Sequence, residues 1–310
     1  MNLNLFLNVL LLLIILIPVL TLPARACTSF AVYSESTIYG SNLDFSISSP
    51  ARFSIQDEPG FFKHFLVEYQ FQGTFRGTMG MNENGILATL QTVPPVNYKP
   101  KTDSAVMITD IFDWALNNAE RIEDIEEYVK DLEIYPTPGF FLHIHFADKY
   151  GKAMILEVTN TGKKVIKRND DFSVMTNFYN SKYSGGNSQI WGGARYGIAT
   201  YGIKNNFKEF NPEIAFDILK DVKQYSTRVS LVYLPEQKNL FMALGGNFEM
   251  IWHIDMNNNT IETYSGFETS KKYNLSNPGI TVNNLISFSD KIKNWGQNIL
   301  GNILNSNKHT

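Results

Sequence analysis

The stretch Ala24-Arg25-Ala26-Cys27-Thr28-Ser29-Phe30 joins an apolar leader to the rest of the chain and contains its single cysteine. Leu5 to Leu20 is apolar apart from the breaks at Asn8 and Pro18, a length suited to the hydrophobic region of an export signal, although Met1-Asn2-Leu3-Asn4 lacks the usual Lys or Arg. Small residues at Ala24 and Ala26 form the A-x-A pattern that a signal peptidase reads, which predicts cleavage between Ala26 and Cys27. Cys27 then becomes the first residue of the mature chain, with its thiol beside a free α-amine. Ordinary pKa values of about 8.5 for the thiol and about 7.7–8.0 for the amine let the amine act as base near neutral pH. One residue then supplies both nucleophile and base. The same placement is open to a second interpretation, an exported lipoprotein anchored through Cys27.

Composition narrows the remaining classes. The 27 basic and 30 acidic residues leave a net charge of −3, and no basic run or stripe is present, which argues against nucleic acid as a partner. A lone cysteine cannot pair within the chain, so an exported protein would carry it unpaired in an oxidising compartment, periplasmic or extracellular, where retention favours a catalytic use. The chain divides into a leader (1–26), one large domain (27–267) and an extension (268–310).

Outward from Cys27, Thr28–Tyr33 and Thr37–Tyr39 predict a hairpin ending in Gly40-Ser41-Asn42-Leu43-Asp44, which brings Asp44 back towards Cys27. Further strands are predicted at 66–72, 74–80 and 86–92, helices at about 105–117 and 122–132, strands at 140–146, 153–158, 164–167 and 172–175, helices at 194–206 and 213–222, and strands at 228–233, 239–244, 250–255 and 260–264. Short turns join successive strands, which predicts two sheets between helical layers rather than a doubly wound parallel sheet. His143 and His145 share one face of their strand, half of what a metal site needs, with no third ligand evident. At the end, Leu285, Phe288, Ile292, Trp295, Ile299 and Ile303 fall on one side of a predicted amphipathic helix over 282–304, whose apolar face calls for a surface: its own domain, a second subunit in a homo-oligomer, or a membrane.

Cys27-Thr28-Ser29-Phe30 followed by Gly40-Ser41-Asn42-Leu43-Asp44 resembles the mature start of the choloylglycine hydrolase family, which includes bile salt hydrolases and penicillin V acylases. The acid ceramidase and N-acylethanolamine acid amidase branch is similar at the same place, and acyl-coenzyme A:6-aminopenicillanic acid acyltransferases have a related opening. The resemblance runs from Cys27 to about Tyr264. It implies an N-terminal nucleophile hydrolase of the α+β class, a four-layer αββα sandwich, with Cys27 as nucleophile and Asp44 as its orienting carboxylate. Gly80-Met81-Asn82-Glu83-Asn84-Gly85 is similar to the family turn leading into a strand with one oxyanion donor, which counting along that strand places at Gln91. Thr176-Asn177 corresponds to the second donor, and Thr227-Arg228 to the family arginine near the nucleophile. Ser41 departs from the pattern, because the family usually has Arg there, so Arg228 would carry the local charge alone.

The implied activity is hydrolysis of a linear, non-peptide amide such as a conjugated bile acid, penicillin V or a fatty-acyl amide, with a small-molecule substrate and no cofactor or metal. An acyltransferase using the same acyl-enzyme is the alternative within the family. No Gly-x-Ser-x-Gly elbow supports a serine hydrolase.

Overall fold

Polar turns two to four residues long separate most of the apolar runs, and chains patterned this way pair each strand with its neighbour in antiparallel fashion. The computed structural model describes residues 27–46, 49–168, 170–183 and 189–285. The predicted leader lies outside the described residues, as does the predicted C-terminal helix beyond Leu285.

The chain opens with six strands: β1 (Thr28–Tyr33), β2 (Thr37–Asp44), β3 (Ala51–Gln56), β4 (His64–Phe71), β5 (Thr74–Asn82) and β6 (Leu87–Thr92). A short β7 (Val106–Met107) leads into helices α1 (Ile108–Asn118) and α2 (Ile122–Val129). There follow β8 (Ile134–Tyr135), β9 (Leu142–Ala147), β10 (Ala153–Thr159), β11 (Gly162–Arg168) and β12 (Phe172–Met175), then α3 (Gly193–Asn206) and α4 (Pro212–Asp221). The remaining elements are β13 (Thr227–Leu234), β14 (Asn239–Leu244), β15 (Asn247–Asp255), β16 (Thr260–Ser265), β17 (Lys272–Asn274), β18 (Ile280–Thr281) and the single turn α5 (Val282–Leu285). Strands β3, β8, β17 and β18 have no counterpart in the sequence prediction, and β7, which falls at the start of the predicted helix 105–117, pairs with β8 in a small parallel sheet.

Two eight-stranded antiparallel sheets dominate. The first runs β12-β1-β2-β13-β14-β15-β16-β17, and the second runs β11-β10-β9-β6-β5-β4-β3-β18. Alternation along the strands divides the apolar residues into three clusters. Ala31, Tyr39, Leu43, Phe53, Phe65, Met79 and Leu231, drawn from both sheets, pack with one another. Leu66, Ala88, Ile144 and Leu156 of the second sheet pack instead with Ile111, Phe112, Ile122 and Ile125 of α1 and α2. Phe30, Val32, Ile38 and Val232 of the first sheet pack with Ala199, Ile203, Ala215 and Ile218 of α3 and α4.

Two parts of the opening motifs explain themselves in this packing. Gly40 lies opposite Phe30 in the β1–β2 ladder, and a Cβ on it would come within 2.1 Å of the Phe30 ring. The aromatic ring therefore occupies the space a side chain would need. Asn82 builds the turn before β6: its Oδ1 accepts the N–H groups of Asn84 and Ile86, both at 3.0 Å, while its Nδ2 donates to Leu116 O and Ala119 O at the end of α1. Tyr39 then reaches across to donate to Gly85 O at 2.9 Å, tying the first sheet to the second.

Gly40→Ala is expected to destabilise the protein by about 1–3 kcal/mol, the usual range for forcing extra volume into a packed core. Urea unfolding should show the loss, and a Phe30→Leu, Gly40→Ala double variant should recover part of it.

Candidate functional site

Register places the start of β1 against the end of β2. Thr28 pairs with Asn42, and Asp44 pairs with Thr227 on β13. Cys27 is buried, with its Sγ 4.0 Å from Asp44 O. It borders a small cavity of about 70 Å³ whose lining includes Leu43, Phe45, Leu90, Thr92 and Phe140 as well as Asp44. A wider open groove of about 560 Å³ beside α4 and β14–β16 contains neither Cys27 nor Asp44.

Asp44 is also buried. Thr227 Oγ1 donates to its Oδ1, while among the described residues its Oδ2 has no hydrogen-bond partner. Burial pushes the carboxyl up to about 7, and the Thr227 hydrogen bond and the Arg195 charge offset this only in part.

Arg195 was not singled out by the sequence. It sits in the first turn of α3 and is buried, and its Nη1 donates to Cys27 O and, at 2.8 Å, to Thr28 Oγ1. Its Nη2 donates to Asn177 Oδ1 at 2.7 Å. Burial lowers the guanidinium pKa, and Asp44 and Cys27 oppose that shift. Gly192 makes this approach feasible: it has φ +84°, and a Cβ there would lie 2.9 Å from Asn177 N and 3.1 Å from Arg195 Nη2. The Gly192-Gly193 pair ahead of Arg195 was the available sequence signal.

Because a guanidinium can only donate, it orients the Asn177 amide. Oδ1 faces Arg195, so Nδ2 faces β6, donating to Thr92 O at 2.7 Å and to Thr92 Oγ1 at 3.2 Å. Thr92 thus connects Asn177 to the cavity that Cys27 borders.

Gln91 points to the other side of its strand, into the space between the sheets. Ser29 N–H can only donate, so the Gln91 amide presents Oε1 to Ser29 N at 3.1 Å and Nε2 to Cys27 O at 3.3 Å. Gln91 therefore touches the Cys27 backbone, and its side chain does not line the cavity. Arg228 occupies a bulge, the unpaired residue between the Thr227–Asp44 and Val229–Leu43 pairs. It is half-buried, with its guanidinium carbon 6.0 Å from the ring centre of Phe45. Ser41, where the family arginine was expected, faces the core with its hydroxyl 3.2 Å from Tyr233 Oη and 3.4 Å from Met79 Sδ. Arg195 provides the cation beside Cys27 instead.

His143 and His145 do share a strand face, but both are buried between the sheets. His145 bridges Ser29 Oγ at 2.9 Å and Ser173 Oγ at 2.6 Å. Burial, with His143 and Arg168 nearby, lowers its pKa to about 3, leaving a neutral ring. Among the described residues no three His, Cys, Asp or Glu side chains converge as metal ligands.

The Asp44 environment sets a stability test. In a chain whose Cys27 nitrogen remains in a peptide bond, the raised folded-state pKa favours folding below the unfolded value near pH 4, and that contribution is lost as pH rises to about 7. Asp44→Asn should remove this decline, so the gap between variant and wild type widens in favour of the variant from pH 4 to pH 7.5 in urea titrations.

Comparison with curated proteins finds no match by sequence. Solved structures with a similar fold include conjugated bile acid hydrolase from Clostridium perfringens, at 17% identity and TM-score 0.59 over 80% of this chain and 96% of that one. Penicillin V acylase from Agrobacterium tumefaciens is similar at 18% identity and TM-score 0.58, over 77% of this chain and 91% of that one. A Caenorhabditis elegans ortholog of N-acylethanolamine-hydrolyzing acid amidase is similar at 18% identity and TM-score 0.51, over 67% and 93%. The family model for acyl-coenzyme A:6-aminopenicillanic acid acyl-transferase matches residues 33–260, a span that includes Asp44, Asn177, Arg195 and Arg228. The chain belongs to the acyl-coenzyme A:6-aminopenicillanic acid acyl-transferase family.

Proposed function

We propose that the protein is an exported amide hydrolase in which removal of residues 1–26 exposes Cys27 as an N-terminal nucleophile. The observation that carries this most directly is the position of Cys27 at the edge of an apolar-walled cavity, beside a buried Asp44 whose second oxygen has no partner among the described residues. The ammonium formed when the released α-amine takes the thiol's proton would suit that carboxylate and draw its pKa down. In this reading the two sheets and two helix pairs form the four-layer αββα sandwich of N-terminal nucleophile hydrolases.

The thiol gives its proton to the α-amine, and its sulfur bonds to the carbonyl carbon of a small N-acyl amide. The resulting oxyanion takes hydrogen bonds from the Thr92 hydroxyl and from the Asn177 N–H that substrate draws away from the longer contact to Thr92 Oγ1, groups that Arg195 and β6 hold together. The C–N bond breaks as the α-ammonium returns a proton to the departing amine, leaving a thioester. Water, deprotonated by the α-amine, attacks the thioester and releases a carboxylic acid and free Cys27. Gln91 and Arg195 anchor the Cys27 carbonyl during these steps, and Arg228 lies by Phe45 at the cavity, placed to meet a polar part of the substrate. No step calls for a metal or organic cofactor. The family to which the chain belongs favours a second outcome, interception of the thioester by an amine in place of water.

Three measurements test the proposal. Intact mass of protein from the export pathway should show a chain beginning at unmodified Cys27, and a lipid adduct there would defeat it. Mature protein should release amine from at least one member of a panel of N-acyl amides and 4-nitroanilides, with Cys27→Ala folded and inactive; added amine acceptors separate hydrolysis from transfer. Asn177→Ala and Thr92→Val should each lower kcat by about 10²–10³ with little change in KM, the usual cost of losing one oxyanion donor.

A further inference from the structure

Strand β10 is apolar from Ala153 to Val158 except for Glu157, which is fully buried. Glu157 pairs with His143 on β9, and His143 pairs with Gln91 on β6, so the three form a row across the second sheet. A carboxylate in this position is costly unless it is satisfied by donors. Glu157 Oε1 accepts from Asn180 N at 2.6 Å, Oε2 accepts from Ser181 N at 3.1 Å, and His143 Nδ1 stands 3.6 Å from Oε1.

Both backbone donors belong to the turn that follows Asn177. Besides the Arg195 contact to Asn177, two more hydrogen bonds tie that turn back towards the second sheet: Asn177 Nδ2 donates to Thr92 O, and Tyr179 Oη donates to Pro94 O at 2.9 Å. All three anchors reach back to the second sheet or to the chain leaving it. Only the Glu157 anchor uses a charged acceptor with two oxygens, each on a different N–H, and charge-assisted bonds of this kind are about twice as strong as neutral ones.

We propose that Glu157 is a positioning residue: by holding the N–H groups of Asn180 and Ser181 it keeps the turn in the geometry that presents the Asn177 amide to Thr92 and Arg195. This rests on the hydrolase function proposed above. A glutamine at 157 keeps the shape but has one acceptor oxygen, and it turns an NH₂ donor towards a backbone N–H. An aspartate keeps both acceptors on a shorter stem.

The test compares mature wild type with Glu157→Gln, Glu157→Asp and Ser181→Pro by hydrogen exchange and by kinetics on N-acyl 4-nitroanilides. Glu157→Gln should speed exchange in peptides covering 176–183 at least tenfold, leave peptides from β13–β15 unchanged, and lower kcat at least tenfold with KM within twofold. Glu157→Asp should recover part of both effects. Unchanged exchange in 176–183 overturns the assignment, and so does acceleration spread over all peptides, which marks a merely structural role. Should Glu157→Gln fail to fold, Ser181→Pro decides, because it deletes one of the two N–H groups at an exposed position and leaves the carboxylate in place; wild-type kcat and exchange there overturn the proposal. If wild type cleaves none of the amides, the hydrolase function fails alone, while the exchange readout still decides whether Glu157 holds the turn.

Discussion

A buried guanidinium must find acceptors for its donors, and the site depends on where Arg195 finds them. It takes the carbonyl of Cys27, the hydroxyl of Thr28 and the amide oxygen of Asn177, which come from the start of β1 and from the turn after β12. One cation thereby fixes two separate pieces of backbone and decides which way an amide faces. The arrangement needs a helix that begins close against that turn, and the glycine at 192 permits the approach. Charge beside Cys27 thus comes from the helix layer, while Ser41 leaves the β2 position to core packing against Tyr233 and Met79.

The space between the sheets is not uniformly apolar. Thr89, Gln91 and His145 from the second sheet meet Ser29 and Ser173 from the first, through direct hydrogen bonds. Two apolar sheets can slide across one another at small cost, whereas a satisfied polar seam has one good alignment. Here the seam gathers around Ser29, two residues from Cys27, so the best-specified part of the sheet interface is also the part that sets the position of the site.

Much of the fold was legible because its signals are local. Hairpin turns, helical spacing in α1, α2 and α4, and the Gly40-to-Asp44 motif each need only a few neighbouring residues to be read. Strands β8, β17 and β18 were not legible, being only two or three residues long, whereas β3, Ala51-Arg52-Phe53-Ser54-Ile55-Gln56, alternates apolar and polar residues throughout and was legible although it was not predicted. At the site, Cys27 and Asp44 were placed together by the hairpin, as expected. Gln91 illustrates the limit of counting along a strand, since a displacement of one residue exchanges the two faces; Thr92, its neighbour, lines the cavity. Arg195 lies 168 residues from the carbonyl it holds, and only folding shows that contact. Glu157 did leave a trace, a carboxylate within an apolar strand, but its partners in the turn at 180 and 181 are a tertiary matter.

The register of β1 has one more implication. Among the described residues its ladder begins with Thr28 opposite Asn42 on one side and Ser29 opposite Met175 on the other, so Cys27 stands one residue ahead of the first rung. A cut on the amino side of Cys27 would therefore remove none of the rungs that the described residues form. Under the maturation proposed above, the rungs formed by the described residues would be common to precursor and product, and release of the leader would act as a change of chemistry at a chain end.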